Sequence, residues 1–319
     1  MVLLMDDFGI ERYYQQPLAK QFFSNLPEYD DIDIYARFAL RSDYWFPGDP
    51  LSTTQNLDFT YIVLREMIHS LGFYSSWRMR FRDDNTIIVP RPYCNDGTGD
   101  CDIYGRNKDK VWIGFREHIF DKYLMNLYTG EMLTNKTSYL NKLFDSNIIH
   151  GKISKLEKGL QGSLQYEIAK EMYGLATTNG TIGFLSWSDM QFSDSLVLET
   201  NIVPFDNDIN LKYIDNIYTN TSDFLMRNQW PIGITLQDQI TAGGNYSNGT
   251  LYGSIGPKLR RMFETIGYAT VDNPIVTQSP KIPLPLPPIN AMSIGNSLTF
   301  NTLYQTYLFL IIVAYEIYF

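Results

Sequence analysis

Three histidines, His69, His118 and His150, are the only imidazoles in this chain of 319 residues. One of them sits in a run whose spacing bears on chemistry, Arg65-Glu66-Met67-Ile68-His69. On a helix, residues i and i+4 share a face, so imidazoles at both positions can grip one Zn²⁺. A Glu between them then acts as general base on the metal-bound water. Here Arg65 holds the first of those two positions. Its guanidinium stays cationic at every relevant pH and cannot ligate a metal. Beside a divalent ion in a partly dry cleft it would be repelled by several kcal/mol, even at an effective dielectric of about 20. In a run built on that pattern, Arg65 would be a cationic plug in the metal position, paired with Glu66 or another cleft acid. The alternative is a helix rotated so that Arg65 points to the surface.

The element that must carry this run is a helix over Leu57–Leu71, with Asp58 as N-cap and Gly72 as its stop. Around it the patterning predicts helices over Glu11–Ser24, Gly114–Leu127, Lys152–Met172 and Lys258–Ile266, the last opened by Gly256-Pro257 and closed by Gly267. Asp31–Leu40 alternates like a strand, and Asn85–Pro90 is a short apolar strand. Strands interspersed with helices, without regular βαβ alternation, predict an α+β fold.

Composition narrows the function. Charged residues are 19% and apolar residues 44%, which excludes disorder for most of the chain. A net charge of −9 argues against binding a nucleic-acid backbone. Two cysteines exclude a zinc ribbon or a disulfide-dense scaffold. They flank a Gly- and Asp-rich loop, Cys94-Asn-Asp-Gly-Thr-Gly-Asp-Cys101, where one disulfide fits, in keeping with an oxidising compartment. Glycosylation sequons at Asn135, Asn179, Asn220, Asn245 and Asn248 agree with secretion. Asp206-Asn-Asp208 and Asp96 to Asp100 lack the full calcium-loop pattern and read as turns. His118 and His150 share no metal spacing with His69 and read as core or solvated residues.

The run Glu66-x-x-His69-x-x-Gly72-Phe73, followed by Ser75-Ser76-Trp77, resembles the active-site helix of zincin metallopeptidases, His-Glu-x-x-His-x-x-Gly, in its secreted fungal form. The resemblance extends over about residues 10–272, and only the helix motif is specific. It implies a zincin-like fold with a cleft between two subdomains. It further implies a third ligand well downstream, where Tyr213 stands instead of His, and a Met beneath the metal, matched by Met226. With Arg65 and Tyr213 at two ligand positions the metal site is degenerate. No metal cofactor is expected, and Glu66 becomes a vestigial base. The reading is a pseudopeptidase that binds a polypeptide or a surface partner. One alternative is a zinc-dependent endopeptidase with an atypical site, in which His69, another side chain and an acid hold the metal and Glu66 is the base. Another is an adhesive or structural cell-surface glycoprotein whose helix matches by accident.

The termini bear on where the chain works. No signal peptide is legible at Met1, so the start matches a truncated precursor. Residues 1–276 read as the peptidase-like domain and 277–302 as a Pro-rich stalk. Residues 303–319 form an apolar tail that suits a GPI signal, with a transmembrane helix or a core-docked element as the other readings. Membrane association through that tail and an extracellular or cell-surface location follow as expectations.

Overall fold

The computed structural model describes residues 1–39, 43–50, 55–94, 101, 111–145, 151–152, 155–187, 194–229, 231–244, 246–247, 250–251, 253–274 and 280–282. Two compact units are distinguished, Met1–Ile282 and Pro283–Phe319, and the described residues all lie in the first. His150, Asn245, Asn248 and the expected tail lie outside the described residues.

The chain opens with a hairpin of strands β1 (Val2–Met5) and β2 (Glu11–Tyr14), then helix α1 (Gln16–Phe22). The expected helix over Glu11–Ser24 is therefore half strand. Residues 11–14 pair antiparallel with β1 in a Val2↔Tyr14 register, and Pro17 can begin a helix but not continue one through its own amide. Asp31 to residue 39 form no strand, and Ile32 is 61% exposed. Alternation alone does not make a strand where no neighbour supplies a ladder.

Strands β3 (Tyr44–Trp45) and β4 (Leu57–Asp58) pair in parallel and lead into α2 (Phe59–Leu71). The expected Asp58 cap is realised. Its carboxylate accepts hydrogen bonds from the backbone N–H groups of Thr60 and Tyr61 at 2.8 and 3.2 Å. Gly72 ends the helix at φ 131°, where a Cβ would lie 2.8 Å from Ile266 Cδ1.

Asn85–Pro90 holds only an isolated bridge, Arg78↔Val89, and the strand lies further on, at β5 (Arg91–Cys94). The expected helix over Gly114–Leu127 is replaced by β6 (Val111–His118), a 3₁₀ turn (Ile119–Tyr123) and β7 (Leu124–Asn126). Strand β6 is central, with neighbours on both edges and buried residues on both faces. Its apolar run consequently lacks the period of two.

Helix α3 (Thr134–Asp145) and strand β8 (Gly151–Lys152) follow. The expected helix Lys152–Met172 is broken into α4 (Leu156–Leu160) and α5 (Leu164–Ala176). The break falls at Gly162, at φ 77°, and at Ser163, whose hydroxyl caps α5. Then come β9 (Ile182–Phe184), β10 (Leu196–Val197), α6 (Leu236–Ala242), β11 (Tyr246–Ser247), β12 (Thr250–Leu251) and α7 (Pro257–Ile266). Helix α7 begins at Pro257 and is closed by Gly267, as its sequence predicts.

The main sheet runs β1-β2-β6-β5, with β8 also paired to β6, and a smaller sheet runs β10-β9-β7. The architecture is mixed α+β. Cys94 and Cys101 are bonded, with Cα atoms 5.5 Å apart. Lys281, within the expected stalk, exchanges backbone hydrogen bonds with Met5 at the edge of β1. No helix among the described residues is long and apolar enough to cross a membrane.

Candidate functional site

Helix α2 buries one stripe, Tyr61, Ile62, Arg65 and Ile68, and Arg65 is fully enclosed. The surface-pointing alternative for Arg65 does not hold. Its guanidinium carbon lies 4.6 Å from the ring centre of Tyr213 and 5.7 Å from that of Tyr61. The His69 ring meets the same Tyr213 ring edge-on at 5.1 Å. Residues 65, 69 and 213 are thus packed against one another, although Tyr213 is 144 positions from His69 along the chain.

Backbone pairing accounts for this convergence. The Glu199 N–H donates to the Tyr213 carbonyl at 2.8 Å, which holds residue 213 beside the end of β10. Ile214 then donates to the Met226 carbonyl at 2.9 Å. Met226 ends a buried 3₁₀ turn, Phe224–Met226, and Tyr61 of α2 donates from its hydroxyl to the Leu225 carbonyl at 3.1 Å. Met226 is therefore part of the seam that fixes Tyr213 against α2.

His69 is partly buried, and its Nδ1 lies 2.9 Å from the Phe73 carbonyl. A carbonyl only accepts, so Nδ1 carries the proton and Nε2 keeps its lone pair. Burial, opposed by that hydrogen bond and reinforced by the charges of Arg65 and Lys212, lowers the imidazole pKa to about 4. The ring is neutral at pH 7. Burial also raises the phenol pKa of Tyr213 above its ordinary value, with Arg65 pulling it back. Arg227, another buried cation, is close enough for its pKa to feel Arg65. It donates to Gln239 and Thr219 at 2.9 and 2.8 Å.

A zinc ion needs deprotonated or neutral donors. One imidazole, a phenol that resists ionisation and a permanent cation do not make that set. The residues at positions 65, 69 and 213 do not fit zinc, and no cluster of three acidic, His or Cys side chains suited to a metal occurs among the described residues.

The family model described as SPBPB7E8-like matches residues 1–290. This chain belongs to the SPBPB7E8-like family. A relative in Schizosaccharomyces pombe (strain 972), "Uncharacterized protein PB7E8.01", is 25% identical over 276 residues, covering 82% of this chain and 47% of the relative. The chain thus spans about half the length of the curated relative it matches. No solved structure matches.

In this SPBPB7E8-like chain the remaining candidates divide. Glu66 is partly buried on α2, and its charge reaches Tyr213. Asn135, Asn179 and Asn220 are exposed. Asp206 and Asp208 lie in a turn, where the Asp206 carboxylate accepts from the Asp208 N–H at 2.7 Å. His118, expected on a helix, ends strand β6 instead.

Two groupings escape a reading by motif. One is a buried polar cluster. Arg12 is ion-paired with Asp6 and Glu117, and Glu117 also accepts from Thr134 and Thr137. Nearby Asp121 accepts from the hydroxyl of Ser75 and the backbone N–H groups of Ser76 and His118 at 2.6, 2.9 and 3.0 Å. The Ser75-Ser76 pair therefore ties the segment after α2 to the end of β6. The other grouping is a cavity of about 490 Å³ whose wall holds His69, His118, Arg78, Arg80 and Arg91. Its sequence signal is the alternation Arg78-Met-Arg80-Phe-Arg82, which places cations on one side of an extended segment.

Proposed function

We propose that this chain is a zincin-like protein without metal-dependent peptidase activity, held at or outside the cell surface, whose cleft receives a polypeptide or a surface partner. The observation that carries the reading is the packing of Arg65, His69 and Tyr213 around one ring. The motif resemblance sets two further imidazoles at positions 65 and 213. The side chains there are a buried cation and the phenol beneath it. Every charge that zinc would bring to this spot is opposed by Arg65, with Arg227 behind it. Loss of the ligands leaves Glu66 without an activated water, so the helix keeps its place in the fold and loses its chemistry.

The test is metal analysis of the purified chain after dialysis against zinc, together with a peptidase assay on an unstructured protein. The expected result is substoichiometric zinc and no cleavage. Tight zinc at one equivalent overturns the proposal. Cleavage that disappears in Glu66→Gln, with the fold retained, establishes the competing reading of a working peptidase. The double substitution Arg65→His with Tyr213→His is expected to raise zinc affinity by at least about a hundredfold, since it restores two neutral donors beside His69. No gain in a folded double variant means that position 213 does not supply a ligand.

A further inference from the structure

We propose that the cavity beside His69 binds a phosphate monoester, with Arg78 and Arg91 facing its charged oxygens and the Nε2 of His118 accepting a hydrogen bond from it. Three arginines stand on the wall of this cavity and no carboxylate does, among the described residues, although the whole chain carries nine more acids than bases. Concave cationic walls concentrate field lines and draw anions. Guanidinium groups also match the oxygen spacing of phosphate better than ammonium groups do.

The second observation is independent of charge. His118 is 4% exposed and lines the cavity. Its Nδ1 lies 3.0 Å from the Tyr74 carbonyl, so Nδ1 donates and Nε2 is left as an acceptor. That Nε2 is buried and has no hydrogen-bond partner in the protein. A buried polar atom without a partner is costly to the fold unless something supplies one. Burial, against the hydrogen bond to Tyr74 and with the help of Arg91, Arg80 and Arg78, lowers the imidazole pKa to about 3 and keeps the ring neutral. The missing partner must therefore be a donor.

A ligand that satisfies both walls needs anionic oxygens and an O–H on one group. A singly protonated phosphate ester has both. Sulfate has the charge and, at neutral pH, no proton to give. A bare carboxylate, like sulfate, has no proton to give at neutral pH. The cavity is larger than a phosphate alone requires, which leaves room for the ester's remaining body. Arg80 serves as a brace, because it donates to the backbone carbonyls of Ser76 and Pro90 at 2.8 and 3.1 Å. Arg78 is itself held, donating to the Tyr74 hydroxyl, the Asn207 carbonyl and the Asp208 carboxylate at 2.9, 3.2 and 3.4 Å, and Arg91 lies over the Tyr13 ring at 4.9 Å, so both stand fixed on the wall and are the two to test.

The experiment is calorimetric titration of the full chain with inorganic phosphate, then with sulfate at matched ionic strength. Phosphate is expected to bind in the submillimolar range, with sulfate weaker by at least about tenfold. Arg91→Gln and Arg78→Gln are each expected to weaken phosphate by about tenfold or more, with the fold checked by circular dichroism. His118→Phe removes the acceptor and is expected to weaken phosphate. If His118→Phe fails to fold, the phosphate-to-sulfate ratio of the native chain decides the acceptor alone. Displacement of bound phosphate by O-phosphoserine or by a hexose phosphate supports the ester and tells which bearer fits. Displacement by neither removes the ester from the proposal. No phosphate binding at millimolar concentration, or binding unchanged in both arginine variants, overturns it. None of these outcomes touches the zinc test above, so the two proposals fail separately.

Discussion

At the residue scale, Arg65 is where sequence and structure bear hardest on each other. A guanidinium enclosed between two tyrosine rings gains cation–π attraction of about 2 kcal/mol when desolvated, and the long stem fills volume that no smaller side chain fills. Arg65→Ala is expected to destabilise the fold by about 3 kcal/mol, from the lost ring contacts and the cavity left behind. Arg65→Lys keeps the charge but loses the flat face that lies over Tyr213, and is expected to cost about 1–2 kcal/mol. Urea unfolding of both variants measures the pair. Equal and negligible losses would mean that the guanidinium does not pack as described. The presence of Arg65 was plain in the sequence, and so was its incompatibility with a metal. The ring beneath it was reached only through a family pattern, because nothing local in Asn210–Asp215 announces a contact with residue 65.

At the element scale, α2 is held at both ends by single residues. Asp58 caps its first turn with one carboxylate oxygen, and the other accepts from the Leu236 N–H at 2.7 Å, which ties α2 to the start of α6. Asp58→Ala is expected to cost about 2 kcal/mol, at the high end for a cap, because both helices lose a partner. Gly72→Ala adds a Cβ 2.8 Å from Ile266 at a φ that side chains rarely adopt, and is expected to cost at least about 1–2 kcal/mol. Thermal unfolding of the two variants checks both. These elements were legible because caps and stops are local chemistry, and the same holds for α7 between Pro257 and Gly267. The failures share a different cause. Residues 114–127 look helical by period only because β6 is buried on both faces, and residues 31–39 alternate without a strand to pair with. Pairing partners far along the chain decide such segments, and a window of ten residues does not contain them. The cavity escaped for the same reason. Arg78 and Arg80, Arg91 and His118 come from three segments, and only the antiparallel pairing of β5 with β6 brings the last two together.

At the scale of the whole molecule, the two described histidines make the fold sensitive to acid. Their imidazole pKa values are lowered to about 4 and about 3, by burial first, from an ordinary value near 6.5 in the unfolded chain. Between about pH 6.5 and pH 4 the unfolded chain therefore binds more protons than the folded one, and stability rises with pH across that window. Each histidine contributes a slope of up to about 1.4 kcal/mol per pH unit, fully relieved only above the unfolded value. Asp121 works in the opposite sense. Burial, with the charge of Glu117, raises its carboxyl pKa, so the folded chain holds that proton longer and loses stability as pH rises through the acid range. Glu199 and Asp223, raised chiefly by burial, lean the same way. Replacing one histidine exposes the balance. His118→Gln removes a titrating group and keeps a side chain of similar reach. The slope of unfolding free energy against pH, measured by urea midpoints from about pH 7 down to about pH 4.5, is expected to become less positive by about 1 kcal/mol per pH unit. An unchanged slope would mean that His118 gains its proton in the folded chain as freely as in the unfolded one. A ring so accessible could not keep Nε2 as a buried acceptor, and the donor-bearing ligand inferred for the cavity would lose its reason.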